Sequence, residues 1–78
     1  DKQAELEWKK YISKIAWENV SKRFKTNVAT AFLMAVEGRP ASEIAAELKI
    51  AESSVYVYKS RVQKELRAEI ILLNQKLS

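Results

Sequence analysis

From Ser42 to Arg67 the chain runs SEIAAELKIAESSVYVYKSRVQKELR, and few folds accommodate that pattern. Ile44, Ala45 and Leu48 stand at i, i+1 and i+4, the apolar stripe of a short helix. Lys49, Ile50 and Ala51 leave room only for a turn, with Ile50 as its apolar plug. A second stripe opens at Val55 and continues through Tyr58, Val62, Leu66, Glu69 or Ile70, Leu73 and Leu77. Steps of three and four hold one face over more than about five turns. A short helix, a tight turn and a long helix with one buried face make the helix-turn-helix plan, whose second helix enters the major groove of DNA.

The opposite face of that second helix carries the functional argument. At about 100° per residue, Ser53, Tyr56, Val57, Ser60, Arg61 and Lys64 point away from Val55 and Val62. Hydroxyls and Arg reach phosphates or base edges, and Val meets a thymine methyl. A plain solvated helix face would also carry such residues; the turn spacing ahead of it favours DNA. Ala51 occupies the cap position of this helix, where Ser, Thr or Asp would be better by about 1 kcal/mol.

The remaining sequence predicts an all-α domain of four to five helices. Trp8, Ile12, Ile15, Ala16, Val20 and Phe24 place one helix over Lys2 to Phe24, acidic near its start and basic near its end. Trp17, at the edge of that stripe, is expected to pack on a neighbouring helix; a partner-binding role is the alternative. Thr26 is the expected cap of a second helix, 27–37, with Val28, Ala31, Phe32, Ala35 and Val36 facing inward and Leu33 and Met34 outward. Gly38 ends it and Pro40 opens the next, with Ser42 sharing the cap. The apolar tail from Ile70 to Leu77 is expected to meet the first helix, a second copy or a missing piece of the parent chain.

Charge supports a polyanionic partner. Residues 1–25 carry seven basic and four acidic side chains, 26–52 two and four, and 53–78 five and two. The long second helix of the pattern is therefore basic and the short one before it acidic. There is no Cys and no His, so disulfides, thiolate or imidazole metal sites and most acid–base catalysis lack their residues. Neither a cofactor nor an enzyme activity is expected. Glu43, Glu47, Glu65 and Glu69 are scattered at helical spacing, and Glu65 is expected to pair with Arg61. No run approaches the ~20 apolar residues of a membrane span, so a cytoplasmic protein is the simplest expectation. A chain of 78 residues starting at Asp1 reads as one domain cut from a longer protein.

The ordered set Glu37-Gly38, Glu43-Ile44-Ala45 with Leu48, Ile50, Ser54-Val55, Ser60-Arg61 and Lys64-Glu65-Leu66-Arg67 resembles conserved region 4 of bacterial sigma factors, nearest the extracytoplasmic-function class. The likeness is clearest over residues 31–70. It implies a domain that reads the −35 promoter element and docks on the β flap of RNA polymerase. In many family members an anti-sigma protein occludes it. Carried over by position, the groove contacts fall on Ser53, Ser54, Tyr56, Val57, Ser60 and Arg61. Lys59 and Lys64 become phosphate contacts, and Arg39 reaches the backbone. Tyr56 stands where Arg or Lys is common and Val57 where a polar residue is common, which leaves base preference open. Response-regulator and quorum-sensing output domains share Glu-Ile-Ala-x-x-Leu, the Ile turn and Ser-Val-x-Val, and bind palindromic sites as dimers. A protein-only module using Trp17, Leu33, Met34 and the Ile70–Leu73 tail is the remaining alternative.

Overall fold

A computed structural model describes residues 1–77. Four helices and no strand occur among the described residues: α1 (Lys2–Ser21), α2 (Thr26–Val36), α3 (Ala41–Leu48) and α4 (Glu52–Leu77). The 26 residues of α4 span roughly 39 Å at ~1.5 Å per residue, which accounts for the 42 Å long axis of the molecule. The other three helices all pack on it.

The core follows α4 from end to end. Near its start, Val55 meets Ala31 and Met34 of α2 and Ile44 and Ala45 of α3. At mid-length, Val62 is closed in by Val20, Val28 and Phe32. Beyond that, Leu73 packs on Ile12 and Ala16 of α1, with Leu66 and Ile70 alongside. The inner side of the apolar tail, Ile70 and Leu73, therefore meets the first helix, while Ile71 and Leu72 stay exposed. That arm is tied by the Trp8 indole N–H, which donates to Asn74 Oδ1 at 2.8 Å. Trp17 stacks on Phe32 with centroids 5.4 Å apart, the expected helix–helix contact.

Several local expectations are corrected. The first helix stops at Ser21, and Phe24 lies in the following turn, half-buried against the Val20–Val62 layer. Thr26 is already helical; Lys25 holds the cap position, with extended backbone and no side-chain cap bond. On α2, Met34 is buried and Val36 is 66% exposed, the reverse of the expected placement. The cause is that α2 is covered on two flanks. Val28 and Phe32 face the α1 side, and Ala31 and Met34 face α3, while Val36 lies in the last turn beyond both. Ser42 sits within the first turn of α3, exposed, and caps nothing. Leu77 is exposed too, because the arm's core closes at Leu73.

Gly38 acts as expected. Its φ of 90° lies in the left-handed region. The Gly38 N–H donates to Ala35 C=O and the Arg39 N–H to Met34 C=O, the paired bonds of a Schellman end. This sharp exit points the chain into α3 and sets α3 against α4.

Candidate nucleic-acid interface

The α3–α4 turn fixes the direction of the exposed helix. Lys49 takes left-handed backbone, φ 58° and ψ 47°, where Gly is the usual occupant. The Ile50 N–H returns to Ala45 C=O at 3.0 Å, and the Ile50 side chain packs into the first core layer. Ala51 supplies only its carbonyl, which accepts from the Ser54 N–H at 3.0 Å. These constraints seat Val55 and Val62 inside, 2% and 0% exposed.

Everything opposite is open. Ser53, Tyr56, Val57, Lys59, Ser60, Arg61 and Lys64 are all exposed, Tyr56 at 61% and Val57 at 51%. Ser53, Val57, Ser60 and Lys64 form the outermost line, by the helical spacing of four, three and four. Tyr56 and Lys59 lie on the flank toward α3, where they line a hollow with Arg39 and Ala41. Arg61 lies on the flank toward the α1–α2 turn, and the Lys64 side chain reaches from the outermost line to the same hollow. Ser54 is half-buried at the edge of the face.

Two ion-pair networks decide which cations are free. Arg39 is bound on both sides. Its Nε donates to Glu43 Oε1 at 2.9 Å, and its Nη2 meets Glu47. Those hydrogen bonds, Glu47 first and Glu43 next, raise the guanidinium pKa above its ordinary value. Of the expected contacts, Arg39 is thus the one whose charge is already matched. The second network was not anticipated. Arg23 Nη2 meets Glu69 Oε1 at 2.7 Å, Asn19 donates to Glu69 Oε2 at 3.1 Å, and Arg23 Nη1 lies 3.5 Å from Glu65. Glu69 is 7% exposed. The Arg23 and Asn19 hydrogen bonds hold its carboxyl below the usual carboxylate range, against the opposing pull of burial.

This corrects the expected Glu65–Arg61 pair. Glu65 turns to Arg23, and Arg61 makes no ion pair among the described residues. Lys59 and Lys64 make none either. The arrangement matches what a duplex needs: free cations and hydroxyls on one convex helix, with Glu65 and Glu69 neutralised by Arg23 and Glu43 and Glu47 by Arg39, and Glu52 the one unpaired carboxylate of α4 among the described residues. Lys25, which the α1–α2 turn brings alongside Arg61, was not among the contacts expected from the sequence. The cluster Lys22-Arg23-Lys25 was its one visible signal.

No described helix is long and apolar enough to cross a membrane. Curated proteins and solved structures give no match to the chain. A family model described as GerE, bacterial regulatory proteins of the luxR family, matches residues 29–70. That match takes in most of α2, all of α3, the turn and the exposed half of α4, more than half of the chain. The chain belongs to the luxR family of bacterial regulatory proteins and carries its DNA-binding helix-turn-helix.

Proposed function

We propose that this chain reads a specific duplex sequence from the major groove with the outer face of α4, and that it does so as a transcription regulator acting in the cytoplasm. One observation carries the reading. Along the first half of α4, Val55 and Val62 are sealed in the core, while Ser53, Tyr56, Val57, Lys59, Ser60, Arg61 and Lys64 stand uncovered. Arg61 has the fork to hold guanine O6 and N7, Val57 the methyls to meet thymine, and Ser53 and Ser60 the hydroxyls for either base edge or phosphate. Ser54 and Tyr56 border the groove, and Lys59 and Lys64 straddle the helix toward the two phosphate strands. Arg39 joins them only by leaving Glu43 and Glu47.

The family match supports a regulator that binds a palindromic site as a pair of copies. A second reading is the sigma-type domain: −35 recognition on the β flap of RNA polymerase, open to occlusion by an anti-sigma protein. The packing of α1 over Ile70 and Leu73 favours that reading, because it covers the inner face of the α4 tail within one chain. Duplexes enriched from a random pool, followed by sedimentation of the complex, separate the two. Two chains on a symmetric site support the regulator. One chain on an asymmetric site, with core polymerase joining it, supports the sigma reading. Failure to bind any duplex with a steep salt dependence would overturn both in favour of a protein-only module.

A further inference from the structure

Beside α4, two adjoining hollows share Arg23, Phe24 and Arg61; one adds Lys25, Val28 and Tyr58, the other Lys64 and Glu65. Together they form a cleft between the α1–α2 turn and the basic flank of the exposed helix. Four cations line it. Arg23 is committed to Glu65 and Glu69, so the carboxylates at the cleft are answered from within the fold. Lys25, Arg61 and Lys64 make no ion pair among the described residues. Three unmatched cations converging from two separate elements on one concave strip is an arrangement that like charges alone disfavour. An anion between them removes the repulsion.

We infer that this cleft holds a backbone phosphate of the bound duplex, with Lys25 as a DNA contact outside the helix-turn-helix. This rests on the groove reading above. With α4 in the major groove, the strand running past its Arg61–Lys64 flank is the anion nearest the cleft. Lys25 approaches that strand from the side opposite α4, so the two elements grip it. Arg23 is already matched: its bonds to Glu65 and Glu69 tie the turn to α4. A phosphate contact carries no base information, so the clamp sets register and affinity and leaves sequence preference to the groove face.

The test uses the chain with a duplex it has itself enriched from a random pool. Lys25→Ala is expected to keep the melting temperature, since Lys25 is exposed and makes no side-chain cap bond. It is expected to weaken binding about three- to tenfold and to lower the salt slope by about 0.9, equally on preferred and poor sequences. Lys25→Arg is expected to restore both. Among duplexes each carrying one neutral methylphosphonate linkage, one flanking position is expected to make the Lys25→Ala chain and the unaltered chain bind alike. If Lys25→Ala binds with unchanged affinity and slope while Arg61→Ala is impaired, the clamp is overturned and the groove reading stands. If the unaltered chain binds no duplex, both fall. A large drop in melting temperature for Lys25→Ala would make the residue structural and overturn the clamp.

Discussion

Arg61 and Val62 are neighbours in the chain on opposite faces of α4, so replacing each by Ala tests the assignment of those faces. Val62 is fully buried against Val20, Val28 and Phe32. Val62→Ala removes the equivalent of two methylenes, about 1.6 kcal/mol at ~0.8 kcal/mol each. A residual cavity of about 50 Å³ adds roughly 1.2 kcal/mol. A domain of 78 residues has about 4–12 kcal/mol of stability in total, so a loss near 3 kcal/mol is large. At about 4–8 °C per kcal/mol for this size, the melting temperature is expected to fall by roughly 12–24 °C. Arg61→Ala removes an exposed side chain with no ion pair, and is expected to stay within about 0.5 kcal/mol of the original. Thermal unfolding followed by circular dichroism reads both. Equal losses for the two, or a larger loss for Arg61→Ala, would refute the orientation of α4 on which every functional statement depends. Val62→Asp, which buries an unpaired charge, is expected not to fold at all.

In binding, Arg61→Ala is expected to cost about 1–3 kcal/mol and to relax base preference at one position of the site; an affinity loss uniform across sequences would make Arg61 a phosphate contact. Ala51→Ser supplies the missing cap of α4 and is expected to add about 0.5–1 kcal/mol, read as a raised melting temperature; no rise would mean that the Ser hydroxyl fails to reach the free N–H groups. Glu69 is held ionised by Arg23, so its folded pKa lies below the ordinary 4.5. Its contribution is therefore complete above that ordinary value and disappears as the pH falls through the lower, folded one. The stability gap between the unaltered chain and Glu69→Gln, measured by urea unfolding, is expected to be constant near neutrality and to narrow below about pH 4.5. A gap that persists into strong acid would mean the ion pair is not its source.

The helix-turn-helix was legible because its signal is local. Ile44, Leu48, Ile50, Val55 and Val62 need only helical spacing and a turn length to be read, and their packing follows. The exposed face was legible for the same reason, as the complement of that stripe. What escaped were contacts between distant parts of the chain. Arg23 and Glu69 are 46 residues apart, and no periodicity couples them. That blindness produced the mistaken Glu65–Arg61 pair, since spacing alone offers the nearer partner. Met34 and Val36 were exchanged because a helix apolar nearly all round gives no preferred face until its neighbours are in place. The Arg39–Glu43 pair sits at i,i+4 and could have been found by the rule applied elsewhere. The resemblance to sigma region 4 rested mostly on scaffold and turn residues, with Ser60-Arg61 and Lys64 the members from the exposed face. The luxR family shares that scaffold, and the match to it supports the common DNA-binding plan rather than the polymerase-bound role.

Amide chemical-shift mapping of the isotope-labelled chain, titrated with duplex DNA, most directly asks which surface meets the nucleic acid. The largest changes are expected along α4 from Ser53 to Lys64, with a second group at Lys22–Lys25 and little at Trp8, Tyr11 or Leu72. Changes confined to the α1–α4 arm, with Tyr56, Val57 and Arg61 undisturbed, would contradict DNA reading by the outer face of α4.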